Sequence, residues 1–498
     1  VSSECEAKLS VPEGFVLPPL EGLPGRVEAR PAPVWETYGT TYHDTADLRL
    51  ASWDCSLRFR EGQGWTVKLP PARDGVMLVR DEHRFDGASG RPPAAAVDLV
   101  RAFVRSAPLS PVARLRTERT RVGLVDPEGR EVGEVVDDLV TVMEGRRVAS
   151  RFREVEVEIA EGAPEGLLMA TLSVLEPAGA VPVEPPVTKY ARALGDRVAG
   201  LSPELGGGAL GSEPSVGELV GSALRGSVMR MIVHDPEVRI AEDPEGVHQA
   251  RVATRRLRSD LRTFGPVLDP RWAGRLRDEL ARYAEALGTA RDADVLLDVL
   301  ALGAASLQEG DAPAAARLID RLRRHRSGFQ EELLATMRSR RYLALLDDLV
   351  AAAHTPAVLP EVVARSARTL APLMERPWKH LEHAVGVAGL DPADADLHEI
   401  RIRAKRARYA AEALVPAFGK RARRFAEAAA ELQGVLGRHQ DAVIASAWLR
   451  DQAARAGVGT AFVAGELAGL QQAIAHETRD EWRGVWARLD RRKLRFWA

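Results

Sequence analysis

The segment HQARVATRRLRSDLRTF begins at His248, and a close counterpart, HEIRIRAKRARYAAEAL, begins at His398, 150 residues later. A second pair, LGTARDADVLL from Leu287 and LGRHQDAVIA from Leu436, follows in the same order at nearly the same offset. Two ordered matches at one spacing predict two copies of a single helical unit, about 217–345 and 360–498. The surrounding sequence agrees: beyond residue 216 it is dominated by Ala, Leu, Arg and Glu at helical spacing, with few β-branched runs.

The first 200 residues have a different period. CSLRFR, GWTVKL, REVGEVVDDLVTV and FREVEVEI read as strands, separated by the turn signals REGQG, DPEG and EGRR, with a helical stretch near 94–106. LSPELGGGALGSEPS, from Leu201, reads as a flexible linker. The chain is therefore expected to be α+β with two domains, 1–200 and 217–498, joined by a linker at 201–216. With 45% hydrophobic and 28% charged residues it has the composition of an ordinary soluble protein. No apolar run reaches the roughly 18 residues of a membrane span, and no signal-peptide pattern opens the sequence. Its two cysteines, Cys5 and Cys55, make no disulfide framework, so a reducing cytoplasm is the expected location. The net charge of −2 would disfavour a polyanionic partner, but this average hides strong local clustering.

In the first repeat His248, Arg251, Arg255, Arg258 and Arg262 fall within a helical wedge of roughly 80°. Ala250, Ala253, Leu257, Leu261 and Phe264 lie opposite. In the second, His398, Arg401, Lys405 and Arg408 form the same stripe, backed by Ile400, Ala407, Ala411 and Leu414, while Arg256 and Arg406 flank the two stripes. A solvated helix face normally mixes signs at i,i+4, because like charges there repel. Nearly all-positive stripes, twice over, predict a bound anion. Arginine forks and a lysine point charge suit phosphate oxygens. Nucleic acid would want aromatics for base stacking, and only Tyr409 is placed for that. Asp292, Asp294 and Asp441 read as internal partners for some of the arginines.

These His-x-x-Arg-x-x-x-[Arg/Lys]-Arg segments resemble the signatures of the CHAD family. The resemblance covers 217–498 and implies a pair of pseudo-symmetric four-helix bundles that bind inorganic polyphosphate across a basic cavity. His248, Arg251, Arg255, Arg256, His398, Arg401, Lys405 and Arg406 match its motif positions, and Arg258, Arg262 and Arg408 extend the stripes.

Charged rows at period two recur in the first domain. Glu4, Glu6 and Lys8 share a face, as do Arg58 with Arg60, Thr66 with Lys68, and Glu154, Glu156 and Glu158. Near ERTRV, Arg114 and Arg116 lie on one face and Arg119 and Arg121 on the other, and periodicity does not choose between them. Several such strands facing one another predict a barrel with a charged lumen. Carboxylates beside guanidinium groups fit a metal-bound polyphosphate, since Mg²⁺ is usually held by a few carboxylates plus substrate phosphates.

Glu4-x-Glu6-x-Lys8, YHDT, LRFR, TVKL, REVEVEI and TKYARAL, in that order, resemble the CYTH family of triphosphate tunnel metalloenzymes. The resemblance implies an eight-stranded antiparallel β tunnel, Mg²⁺ or Mn²⁺, and hydrolysis or cyclisation of triphosphates. By it Glu4, Glu6, Glu156 and Glu158 would bind metal, and Glu4, Glu6, Lys8 and Glu156 would be catalytic. Lys8, Arg58, Arg60, Lys68, Arg119, Arg121 and Lys189 would line the phosphate path, with Glu134 and Asp138 as further metal or water-positioning candidates. Cys5 and Cys55 read as outward core residues.

The leading expectation is a metal-dependent hydrolase of inorganic triphosphate or short polyphosphate with a polyphosphate-binding helical domain. Association with polyphosphate granules is compatible with it, and neither a nucleic acid nor a membrane partner is expected. The alternatives are a non-catalytic polyphosphate-binding protein and a nucleotide or thiamine triphosphate enzyme. No obvious base-stacking group accompanies the tunnel motifs, which disfavours the nucleotide enzyme.

Overall fold

The computed structural model describes residues 2–498 apart from 13, 31, 75, 76, 161, 185, 186, 202 and 242, and for 2–5 and 72–80 only the backbone. The chain divides into two compact units, Val1–Gly206 and Gly207–Ala498.

The first unit is a single antiparallel sheet. Its strands are β1 (Ser2–Ser10), β2 (Glu28–Ala29), β3 (Val34–Asp44), β4 (Ser56–Arg60), β5 (Gly64–Lys68), β6 (Ala72–Asp74), β7 (Met77–Phe85), β8 (Ser110–Val125), β9 (Glu131–Glu144), β10 (Arg147–Ile159) and β11 (Val181–Pro182). Eight of them close a ring in the order β1-β10-β9-β8-β3-β4-β5-β7, with β7 pairing back onto β1, while β2, β6 and β11 are short additions. Closure removes the exposed edges that a sheet of alternating charged strands would otherwise leave.

Alternation along each strand sorts the residues between the two faces of this ring. Ala7 and Leu9 of β1 and Val155 and Val157 of β10 point outward, into a core completed by Leu167, Leu168, Leu172 and Leu175 of the helix Leu167–Leu175. Glu6, Lys8, Glu154 and Glu156 therefore point into the lumen, and all four are buried there. The short helix α1 (Lys189–Leu194) is capped by Thr188, whose hydroxyl accepts from the Ala191 N–H at 3.1 Å. Tyr190 and Leu194 of α1 join Tyr42, Leu48, Leu115, Val140 and Val142 in an apolar cluster. The Tyr190 hydroxyl donates to Asp44 at 2.7 Å, and the same carboxylate accepts from the backbone N–H groups of Leu50 (2.9 Å) and Ala51 (3.0 Å). Fixing Tyr190 in this way delivers its neighbour Lys189 into the lumen.

The Gly/Ser/Pro-rich stretch from Leu201 is anchored at its near end and becomes helix at its far end. Leu205 is buried, and Glu204 accepts from the Trp53 indole and the Arg105 guanidinium, each at 2.8 Å. Burial opposes ionisation of Glu204, but Arg105 and Trp53 outweigh it and hold the carboxyl below its ordinary pKa. Ser215 then caps the first long helix, with Glu218 completing a capping box.

The second unit is helical: α2 (Val216–Val233), α3 (Pro244–Thr263), α4 (Pro270–Ala304), α5 (Ala312–Arg338), α6 (Arg340–His354), α7 (Glu375–Ala388), α8 (Asp394–Phe418), α9 (Lys420–Ala454) and α10 (Val458–Leu489), with shorter turns between. The repeat is visible in these boundaries, because α4 and α9 each span 35 residues and both ends are 150 residues apart. Pro270 follows the Asp269 cap of α4, and Gly419, at φ 58°, turns the chain from α8 into α9. Ala250, Ala253, Leu257 and Leu261 of α3, and Ile400, Ala407, Ala411 and Leu414 of α8, are all buried. The copies also share a core: Leu300 of α4 and Leu318 and Leu322 of α5 pack with Leu449 of α9 and Val463 and Leu467 of α10. No helix among the described residues is long and apolar enough to cross a membrane.

The anchored segment is open to test. Glu204→Ala leaves the Arg105 guanidinium, only 2% exposed, without its carboxylate. Loss of one partner from a buried pair is expected to lower stability by about 3 kcal/mol, read by urea unfolding. Unchanged stability would show that Glu204 does not tie this segment down.

Candidate functional site: a charged tunnel and a basic cavity

Strand register decides which charges meet inside the ring. Lys8 stands opposite Glu156, Lys68 opposite Glu82, and Arg119 opposite Asp138. Each register pair is an ion pair: Lys8 contacts Glu156, Lys68 lies 2.9 Å from Glu82, and Arg119 donates twice to Asp138 at 2.7 and 2.8 Å. Lys189, brought in by α1, contacts Glu156 and lies 2.8 Å from Asp138 and 3.1 Å from Glu154.

Burial by itself would neutralise these groups, and their partners prevent it. Burial opposes ionisation of Glu156, yet Lys189, Lys8 and Arg119 hold its carboxyl well below the ordinary value. Burial likewise disfavours the Lys8 ammonium, but Glu156, Glu6 and Glu154 raise its pKa above the usual lysine range. Lys189 is raised for the same reason, by Asp138, Glu156 and Glu154. All of these groups stay charged near neutrality.

The lumen contains a cavity of about 340 Å³. Of the residues placed there by sequence, Glu6, Lys8, Arg58, Arg60, Lys68, Arg119, Arg121, Glu134, Glu156, Glu158 and Lys189 all line it. Asp138 sits behind the wall, fully buried against Arg119 and Lys189. The parity of β8 is resolved in favour of Arg119 and Arg121, since Arg114 and Arg116 are exposed. The side chains of Glu4 and Cys5 lie outside the described residues, and Cys55 is buried. Sequence reasoning missed Glu82, Arg84, Glu36 and the pair Tyr42 and Tyr190, all of which line the cavity. The two tyrosine rings stack on each other at 4.8 Å, so aromatic groups do accompany the tunnel.

Two features suit a polyanion with a hard cation. Glu6, Glu156 and Glu158 each offer a carboxylate oxygen, all within 4.8 Å of one another. Arg60 is buried, has no carboxylate ion-pair partner among the described residues, and its Nε lacks a hydrogen bond. Burial and the neighbouring Arg58 lower its pKa, while its guanidinium rests over the Tyr38 ring at 4.2 Å.

In the helical unit the first half of each stripe converges. His248, Arg251 and Arg255 of α3 and His398, Arg401 and Lys405 of α8 line one cavity of about 390 Å³, together with Arg291, Asp292 and Asp441. Asp292 pairs with Arg251 at 2.7 Å, whereas Asp294 turns away to Arg326. Arg401 Nε is buried without a hydrogen bond. Tyr409 is not free to stack a base: its hydroxyl accepts from Arg255 at 2.7 Å, and its ring lies 5.5–5.7 Å from the guanidinium groups of Arg255, Arg256 and Arg408.

Comparison with known proteins agrees with this geometry. The CHAD domain family matches residues 222–450. Two uncharacterized proteins from two strains of Mycobacterium tuberculosis are each 32% identical over 518 residues, covering 98% of this chain and 96% of theirs. The chain belongs to the CHAD domain family. Similar solved structures include the CHAD domain of the plant Ricinus communis, with a TM-score of 0.46 and 27% identity over 57% of this chain and 95% of that one. PptA from Streptomyces chartreusis has a TM-score of 0.45 and 25% identity, over 54% and 99% of the two chains.

The rest of the expected CHAD stripe is dispersed. Arg256 contacts Glu412 and lies 3.5 Å from Asp260, and Arg408 pairs with Glu412 at 2.6 Å. Arg258 lies outside the cavity, and Arg262 and Arg406 line a different one. Helical phase is shared along the whole stripe, but the neighbours change with each turn.

The crowded cations of the CHAD cavity alter its titration. Burial, then Arg401, Arg255 and Arg251, pull Lys405 down to about 7. Burial and Arg291 likewise lower the pKa of the His248 imidazole. At pH 7, competitive acetylation should therefore modify Lys405 well ahead of the exposed Lys379 and Lys420, as read by mass spectrometry. Equal labelling would place the Lys405 pKa in the ordinary range.

Proposed function

We propose that the tunnel is a metal-dependent triphosphatase acting on inorganic triphosphate or short polyphosphate, and that the CHAD domain binds polyphosphate. The observation that carries this reading is the combination in one closed lumen of three clustered carboxylates with the buried, unneutralised guanidinium of Arg60. Carboxylates alone would suit a bare cation, and arginines alone a passive anion site. Both together suit a triphosphate accompanied by its cation.

Glu6, Glu156 and Glu158 are the residues to hold Mg²⁺ or Mn²⁺, as the CYTH resemblance implies, with Glu4 as a further candidate. The bound cation would supply Lewis-acid polarisation of the phosphate and of an attacking water. Arg58, Arg60, Lys68, Arg119 and Arg121 would receive the phosphate oxygens. Lys8 and Lys189 keep Glu156 ionised and are placed to move toward phosphate when substrate enters. Hydrolysis joins a water oxygen to the terminal phosphorus and breaks its anhydride bond, and the lumen cations stabilise the departing diphosphate. Tyr42 and Tyr190 are buried in an apolar cluster, stacked on each other, and Tyr190 is tied to Asp44, so neither is placed to stack a nucleobase.

Phosphate release from tripolyphosphate with Mg²⁺ or Mn²⁺, and its loss in EDTA, tests the activity. Glu6→Gln or Glu158→Gln should lower turnover at least about tenfold, or about 1.4 kcal/mol on the barrier, with the fold intact. Wild-type turnover in both variants would remove the metal-ligand assignment.

Binding of long polyphosphate tests the CHAD cavity. The double variant R251E/R401E should lose it, and binding by the wild-type protein should weaken with added salt. Bound phosphate raises the Lys405 pKa above its free value of about 7. Affinity is therefore greatest below pH 7 and falls as pH rises from there toward the bound pKa, by at most about tenfold per unit. An affinity independent of pH between 6 and 9 would exclude Lys405 from the site.

A further inference from the structure

One of the differences between the two repeats reverses a charge at equivalent positions. With an offset of 150, Arg256 corresponds to Arg406, but Arg262 corresponds to Glu412. Glu412 of the second copy pairs with Arg256 of the first. At the symmetry-related place, Arg262 of the first copy shares a cavity with Arg406 of the second, so two like charges occupy the place of an ion pair.

That cavity, of about 640 Å³, is bounded by α3, α4, α7 and α8 and shares no lining residue with the one around His248. Its guanidinium groups belong to Arg262, Arg277, Arg376, Arg403 and Arg406. Arg403 is paired with Glu399, and among the described residues the other four have no carboxylate ion-pair partner. Burial, then Arg406 and Arg277, lower Arg262 to about 10, so the cluster is maintained against its own repulsion. Such a cluster fits a ligand with several negative charges. The rest of the lining differs in kind: Pro266, Pro372, Leu373 and Pro377 provide an apolar wall. An inorganic phosphate chain would make no use of that wall, whereas a ligand with an organic group beside its phosphates would satisfy both surfaces.

We propose that this off-axis cavity binds a small organic polyphosphate of the nucleoside di- or triphosphate class. The phosphates lie on the arginines and the organic group lies against the prolines and Leu373. The proposal is independent of the reaction assigned to the tunnel.

The test is calorimetric titration of the full chain with ADP and, separately, with inorganic triphosphate, both in EDTA. Arg262→Glu recreates at this place the symmetry-related Arg256–Glu412 pairing, so this variant should fold and melt at or above the wild-type temperature. It should bind ADP at least about tenfold more weakly, and Arg406→Gln should shift affinity in the same direction. R251E/R401E should keep its ADP binding, which separates this site from the His248 cavity. Equal ADP affinity in wild type, R262E and R406Q would overturn the proposal. So would loss of ADP binding in R251E/R401E with retention in R262E. Binding of inorganic triphosphate but not ADP would overturn the organic ligand class.

Discussion

The tunnel depends on the mutual compensation of Lys8, Lys189, Arg119, Glu156 and Asp138. Each is buried, and a lone ion of this kind would be expected to cost several kcal/mol. Two of these contacts come directly from strand register, which sets Lys8 beside Glu156 and Arg119 beside Asp138, and register likewise sets Lys68 beside Glu82. A one-residue slip of β1 or β10 would send a charged row outward into the apolar layer under Leu167–Leu175. The same ion pairs that keep the lumen polar therefore also enforce the register that closes the ring. Under the proposed function, a phosphate or a cation entering the lumen would exchange partners with groups that are already ionised.

The helical unit handles charge in the opposite way. In its central cavity Arg251, Arg255, Arg401 and Lys405 outnumber Asp292 and Asp441, and repulsion is left standing. The consequence appears in Lys405, whose pKa is pulled down to about 7. Stability for these positions comes from the other side of each helix, where Ala250, Leu257, Ile400 and Leu414 are buried. A face that is unfavourable alone can persist because the opposite face is well packed, and an anion then finds its cations already assembled.

Duplication supplied the symmetry, and divergence has broken it locally. The shared ends of α4 and α9 preserve the frame, while Arg262 and Glu412 occupy matching positions with opposite charge. One side of the unit gains an internal ion pair, and the other keeps a concentration of arginines beside an apolar wall.

Much of this was legible in the amino-acid sequence. Period-two charged rows announced a lumen, and the repeated His-x-x-Arg helices announced a basic cavity, because alternation and helical phase are local properties of the backbone. What lay beyond those periods required the tertiary structure. Arg114 to Arg121 could face either way until pairing with β3 and β9 chose Arg119 and Arg121. Glu82 carried no signal because Asp81, His83 and Arg84 make its strand polar on both faces. Arg262, Arg406 and Arg408 share the composition of the stripes but meet different neighbours along the helices. A sequence determines the phase of a side chain about its own element. Which other element stands opposite it is decided only when the sheet closes and the helices pack.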